Sequence, residues 1–168
     1  MRYFVSMFES SIGRLTLLSD GEALTAVDFP LWRGEYRTIP VGPFNEELPV
    51  FRAAKAWLAA YFSGEDPGDP PLLRPEGTEF RQMVWQELRQ IPYGQLTTYG
   101  AIAKALEEKT GRRQSARAVG GAVGANPIAI MIPCHRCVGA DGRLTGFGGG
   151  MAAKTALLTL EGHRDLRE

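Results

Sequence analysis

Two residue types are scarce in this chain of 168 residues. Cysteine occurs only at 134 and 137, and histidine only at 135 and 163. So few cysteines exclude the disulfide framework that staples small secreted domains. So few histidines leave little material for a zinc centre. No apolar run is long enough to span a bilayer, so no membrane partner is expected. Met1-Arg2-Tyr3-Phe4-Val5 lacks the long apolar core of a signal peptide and turns polar by Glu9-Ser10-Ser11. A cytoplasmic protein is expected, or a nuclear one in a cell with a nucleus. In such a compartment two cysteines point to catalysis or redox chemistry more than to a structural staple.

The formal net charge is zero, but it is unevenly spread. Residues 1–75 carry seven Lys/Arg against ten Asp/Glu, and residues 76–168 carry twelve against nine. The basic excess peaks at Lys109, Arg112, Arg113 and Arg117, a stretch without an acidic residue. Such a patch attracts polyanions even on a neutral protein. Four positive charges alone nevertheless favour a solvated loop between helices.

Gly64-Glu65-Asp66-Pro67-Gly68-Asp69-Pro70-Pro71 cannot continue a helix and reads as a linker. It divides the chain into expected domains at 1–75 and 76–168. Before it, three strand-like runs near 2–8, 12–18 and 23–29 are punctuated by Gly13 and Asp20-Gly21, as antiparallel strands are. Leu31 to Phe44 reads as an irregular loop. Val50, Ala53, Ala54, Trp57, Leu58, Tyr61 and Phe62 then recur at helical spacing. This half is a small sheet with one amphipathic helix, and nothing in it points to chemistry.

After the linker, Thr78 is placed to cap a helix whose inward stripe is Phe80, Val84, Leu88 and Ile91. Thr98 caps a second, from Tyr99 to about Glu107, and Ser115 a third, from Ala116 to about Gly124. A short helix, a turn and another helix form a helix-turn-helix pattern. The third helix is almost free of bulk: Ala116, Ala118, Gly120, Gly121, Ala122 and Gly124. Glycine in a helix interior costs roughly 0.5–1 kcal/mol relative to alanine. Close approach of another body offsets that cost, either a neighbouring helix or a nucleic-acid groove. Ile128 to Ile132 is a continuous apolar run, read as a buried strand that delivers Cys134 to the edge of the core. A last helix, Ala152 to Glu161, is stopped by Gly162.

Cys134 stands between Pro133 and His135-Arg136. A neighbouring imidazole and guanidinium favour the thiolate, which is the nucleophile. Cys134-His135-Arg136-Cys137 is formally a redox Cys-x-x-Cys, although the preceding proline and the extended Val138-Gly139 exit argue against one. A hydrolase needs a histidine base that an adjacent residue rarely supplies by direct contact. A one-way alkyl acceptor would keep the group that it takes. Metal binding fits least, since the spacing matches no common zinc pattern. An inert buried cysteine beside a core histidine stays open too.

Five separated stretches fall in one order and spacing. They are Thr97-Thr98-Tyr99-Gly100, Ala116-Arg117-Ala118-Val119-Gly120, Asn126-Pro127, Ile132-Pro133-Cys134-His135-Arg136 and Leu157-Leu158-Thr159-Leu160-Glu161-Gly162. Together, over about residues 79–162, they resemble the O6-alkylguanine-DNA alkyltransferases, the methylated-DNA–protein-cysteine methyltransferases. The resemblance implies an α/β (α+β) chain with an N-terminal ribonuclease-H-like structural domain. Its second domain would be winged-helix-like, with a helix-turn-helix and the active-site cysteine. It also implies a monomer acting on double-stranded DNA that contains O6-alkylguanine, without cofactor or metal. The first half holds no cysteine or histidine, so the structural zinc of some members is not expected.

By that resemblance Cys134 accepts the alkyl group from a flipped-out base. His135 draws off the thiol proton through a water, Glu161 orients the imidazole, Asn126 holds the turn and Tyr99 donates to the leaving guanine. Arg117 fills the gap in the base stack. Ala116, Ala118, Gly120 and Gly121 face the DNA, with Arg112 and Arg113 beside them. Ala129, Cys137, Phe147, Gly148 and Gly149 line the pocket. Phe147 and Gly148 stand where many members have tyrosine and serine, and Cys137 where many have valine. A non-enzymatic lesion binder is the alternative within the resemblance, and Cys134 argues against it, because such proteins replace the cysteine.

Overall fold

The computed structural model describes residues 3–32, 35–36, 43–145 and 147–167. The first half is a three-stranded antiparallel sheet in the order β1-β2-β3, with β1 at Phe4–Ser10, β2 at Gly13–Ser19 and β3 at Leu24–Asp28. Alternation, interrupted by a register shift in the β2–β3 pairing at Leu18/Ser19, sorts its side chains. Leu15, Leu17, Leu24 and Val27 face the main core, while Val5, Leu18 and Ala26 form a small cluster of their own. The loop expected after residue 30 contains a two-residue hairpin, β4 (Leu31–Trp32) against β5 (Glu35–Tyr36). Residues 33–34 and 37–42 of this loop lie outside the described residues.

Helix α1 runs from Pro49 to Phe62, with proline at its first turn, where a missing N–H costs nothing. It buries Val50, Phe51, Ala54, Trp57, Leu58 and Tyr61. Ala53, expected inward, is exposed, because the face set by 54, 58 and 61 continues through 51. The linker forms no helix, but its end closes onto the sheet. Leu24 N donates to Leu72 O, and Arg74 N donates back to Leu24 O.

Beyond the linker come α2 (Glu79–Arg89), β6 (Thr97–Thr98), α3 (Tyr99–Thr110), α4 (Ala116–Gly124), β7 (Cys137–Val138) and α5 (Met151–Leu160). Thr78, Thr98 and Ser115 each accept a hydrogen bond from the backbone N–H three residues on, an arrangement worth about 1 kcal/mol per cap. Gly111, in the left-handed region at φ 71°, ends α3 and lets the chain reverse into α4. Trp85 of α2 donates from its indole N–H to Ala122 O, 2.9 Å away, fastening α4.

The apolar run 128–132 is buried but is not a strand. Ile128 makes a single parallel bridge to Val27. The chain then coils, with Ile132 N donating to Ile128 O and Ile130 at φ 72°. Asn126 forces this shape: its Nδ2 donates to Ile132 O at 2.8 Å while its Oδ1 accepts from Ile128 N at 3.0 Å. One side chain thus clamps both ends of the turn that leads to Cys134.

A single apolar cluster crosses the linker, joining Leu15, Leu17, Phe51 and Tyr61 to Val84, Leu88, Ile132 and Cys134. No helix among the described residues is long and apolar enough to cross a membrane.

Candidate active site

Pro133 ends the clamped turn, and Cys134–Arg136 form one turn of 3-10 helix that runs into β7. Cys134 is 3% exposed and His135 fully buried. Burial pushes the Cys134 thiol up, against a hydrogen bond with Asn126 and the charge of Lys154, which pull it down. The resting group is therefore a thiol. This differs from the expectation of a favoured thiolate, and the reason is geometric. Arg136, adjacent in sequence, turns away: its Nε donates to Glu161 Oε1 at 2.7 Å and its Nη1 to Ile91 O at 2.8 Å. A buried thiol without its expected cation needs a base.

His135 is placed to be one. Its Nε2 lies 2.5 Å from Glu161 Oε2. A carboxylate only accepts, so Nε2 carries the proton and Nδ1 holds the lone pair. Nδ1 is buried and has no protein partner among the described residues. Burial lowers the imidazole's pKa, against the attraction of Glu161, so the ring rests neutral. Burial opposes the charge on Glu161, but hydrogen bonds from His135 and Arg136, with the charge of the guanidinium, hold its carboxyl down at about 2. Gly94 N and the Tyr61 hydroxyl also donate to it, at 2.9 and 2.7 Å. Glu161 caps the end of α5, which brings it to His135 across 26 positions of sequence.

Two further members of the site are absent from the sequence reading of it. Lys154 is 1% exposed, donates from Nζ to Cys137 O at 2.7 Å and is lowered by burial. Its spacing to Leu157, Leu158 and Glu161 places it on the buried face of α5, which was a readable signal. Tyr61 reads as one more apolar residue of the α1 stripe, and its hydroxyl carries no sequence signal.

The other expected residues fall as follows. Tyr99, half-buried at the start of α3, shares a hydrogen bond with Thr145 Oγ1 at 2.7 Å. Cys137 is fully buried, with its thiol pushed up to about 12 by burial. Ala129 is buried inside the clamped turn. Phe147 packs edge-on against Phe29, with ring centroids 5.7 Å apart. A Cβ at Gly149 would come within 2.7 Å of the Phe29 ring and 2.9 Å of the Phe147 ring, so the loop is pinned where glycine alone fits. Gly148 is half-buried beside it. Arg112, Arg113, Ala116, Arg117, Ala118 and Gly121 are exposed. A Cβ at Gly121 would meet nothing within 4 Å, and at Gly120 only the Tyr99 ring at 3.7 Å. Internal packing therefore does not require these two glycines. No group of His, Cys, Asp and Glu among the described residues could hold a metal ion.

Fold and site together define a protein that buries a cysteine next to a carboxylate-bound histidine, beside a helix-turn-helix. Comparison with known proteins narrows that class. A family model described as the DNA-binding domain of 6-O-methylguanine DNA methyltransferase matches residues 79–163. The methylated-DNA–protein-cysteine methyltransferase of Haemophilus influenzae is 46% identical over 94% of this chain and 86% of its own. That of Methanosarcina acetivorans is 45% identical over 95% and 98%. The crystal structure of Mycobacterium tuberculosis OGT in complex with DNA superimposes with a TM-score of 0.80 at 41% identity, over 96% of this chain and 92% of that one. The chain belongs to the O6-methylguanine DNA methyltransferase family.

Proposed function

We propose that Cys134 is the acceptor in this family's reaction, the direct repair of O6-alkylguanine in double-stranded DNA. The observation that carries the reading is a buried thiol followed in the chain by a neutral, carboxylate-oriented imidazole whose buried Nδ1 has no protein partner among the described residues. The lesion's alkyl carbon is out of reach while the base is stacked, so the nucleotide is flipped out at a cost of a few kcal/mol. Arg117 enters the space left in the stack, and the small exposed face of α4 lies in the groove. Phosphate contacts from Arg112 and Arg113 make binding salt-dependent and indifferent to sequence.

In the pocket, Sγ of Cys134 bonds to the alkyl carbon as the C–O6 bond breaks and its electron pair leaves with guanine. The thiol proton passes through a water to His135 Nδ1, and the imidazolium so formed is stabilised by Glu161. This is the nucleophile, base and orienter logic of a triad. Asn126 keeps the turn in place. Tyr99 donates to N3 of the leaving base, offsetting charge as it develops. The backbone N–H of Gly148 serves O6, and the carbonyls of Cys134 and Cys137 serve the exocyclic amine. Each of those carbonyls already accepts one bond, from Cys137 N and from Lys154, and has a second lone pair free for the base. Ala129, Phe147 and Gly149 complete the walls. The thioether is stable, so each molecule acts once. Residues 1–75 are the scaffold and 76–168 the DNA-binding and acceptor domain of a cytoplasmic monomer without cofactor.

The test is to incubate the full chain with a duplex carrying O6-methylguanine and to weigh the peptide containing Cys134. A gain of one methyl group supports the reading. Tight lesion binding without any gain would point to a lesion binder, and no lesion preference at all to a helix-turn-helix regulator. Arg117→Ala is expected to slow transfer from duplex DNA about tenfold or more, roughly 1.4 kcal/mol of barrier. Transfer from the free modified base should be unchanged. Equal losses on both substrates, measured in single-turnover assays, would remove Arg117 from the flipping step.

A further inference from the structure

Glu161 receives hydrogen bonds from Gly94 N, Arg136 Nε, His135 Nε2 and the Tyr61 hydroxyl. The first three donors lie beyond the linker, but Tyr61 stands on α1, 100 positions away in sequence. We propose that Tyr61 is a positioning residue of the relay: by donating to the Glu161 oxygen that also receives His135 Nε2–H, it fixes that carboxylate's direction and shares its charge. The first half of the chain thereby sets how readily His135 takes the thiol proton. The inference rests on the reading of Cys134 as acceptor and His135 as its base.

The geometry leaves the hydroxyl little freedom. The Tyr61 ring stacks on Trp57 with centroids 5.6 Å apart and planes 6° from parallel, and it meets Phe62, Tyr93 and His135 edge-on. Trp57 is itself tied to the linker through Gly68 O, 3.0 Å away. The hydroxyl lies 2.7 Å from Glu161 Oε2 but 3.4 Å from both Leu157 O and His135 Nε2. A buried tyrosine that only packed could satisfy its hydroxyl on the helix carbonyl, yet this one is aimed at the carboxylate. Burial, then the charge of Glu161, raise the phenol's pKa, so it stays protonated and donating at any working pH.

Removing that donor leaves the charge of Oε2 less shared, and the protonated form of His135 becomes better stabilised. The other groups facing the pair stay in place: Arg136 on its own turn, Lys154 on α5 and Tyr93 ahead of β6. Tyr61→Phe keeps the stacked ring and deletes only the hydroxyl. The acidic limb of the transfer rate should therefore move up by about half a unit to one unit. With Glu161 less firmly held, the plateau rate should fall about three- to tenfold.

The experiment is a single-turnover pH profile of methyl transfer by the full chain from about pH 5 to about 9. Tyr61→Phe is compared with the unaltered chain, alone and in a Glu161→Gln background, with duplex affinity measured alongside. A shifted limb with unchanged affinity, absent in the Glu161→Gln background, supports the proposal. A limb that stays put in a folded Tyr61→Phe chain overturns it. Should the double variant fail to fold, nitrogen NMR of His135 in Tyr61→Phe replaces it. A raised His135 pKa then supports the coupling and an unmoved one overturns it. If the unaltered chain transfers nothing, the failure belongs to the reading of Cys134, and the NMR titration still decides the Tyr61 coupling.

Discussion

Cys134→Ala is expected to transfer no alkyl group at all while still binding lesion DNA. In the proposed reaction the sulfur is the atom that forms the new bond, and no second thiol stands in for it. Cys137 is fully buried, and its thiol is held near 12, so thiolate is negligible at neutral pH. The substitution is small for small. It removes one hydrogen bond with Asn126, and Asn126 keeps both of its bonds to the backbone of the turn. The change in folding stability should stay within about 1 kcal/mol. Duplex retention in a gel-shift assay, together with an unmodified protein mass, is the expected pair of results. Alkyl transfer by the variant would displace Cys134 as acceptor.

Glu161→Gln should be nearly as severe, and in two ways. The carboxylate accepts on both oxygens, so an amide in its place turns a donor toward Arg136 and Gly94 or toward Tyr61 and His135. It also leaves the Arg136 guanidinium, 9% exposed, without its countercharge. Breaking a buried pair from one side costs about 3–5 kcal/mol. Transfer should slow roughly 10²- to 10⁴-fold, the usual worth of positioned acid–base catalysis. The pH dependence gives an independent reading. The folded Glu161 carboxyl lies at about 2, below the ordinary 4.5. Its contribution is thus fully present above the ordinary value and is lost as pH falls toward 2. That contribution is on the order of 3 kcal/mol. Chemical denaturation across this range should show the unaltered chain losing stability faster than the glutamine variant. Parallel losses in the two chains would mean that Glu161 is not the group responsible.

Much of this was legible in the residues. Gly13 and Asp20-Gly21 mark the turns of the sheet, and Thr78, Thr98 and Ser115 occupy the cap positions that hydroxyl acceptors favour. The order Asn126, Cys134-His135, Glu161 places one turn and one helix end together in space. The failures have physical causes. Periodicity cannot tell a buried strand from a buried coil of the same length, and the 128–132 run is bent by the Asn126 clamp acting from outside it. The thiolate expectation treated Arg136 as a neighbour of Cys134 because it is one in sequence. In the fold the guanidinium is taken by Glu161, and the cation that acts on the thiol is Lys154. Tyr61 was invisible because an aromatic on an amphipathic stripe looks the same whether its hydroxyl is idle or engaged.

Thr97 and Thr98 work as a ruler. They pair in parallel with Cys137 and Val138, and the first residue after them, Tyr99, begins α3. The strand that leaves the Cys134 turn is thereby bolted to the root of the helix-turn-helix. A slip of one residue in this pairing would displace the thiol relative to α3 and α4 by about 3.3 Å, more than the length of a forming bond. In the proposed reaction, a base brought in along α4 would meet the sulfur at an offset fixed by two threonines.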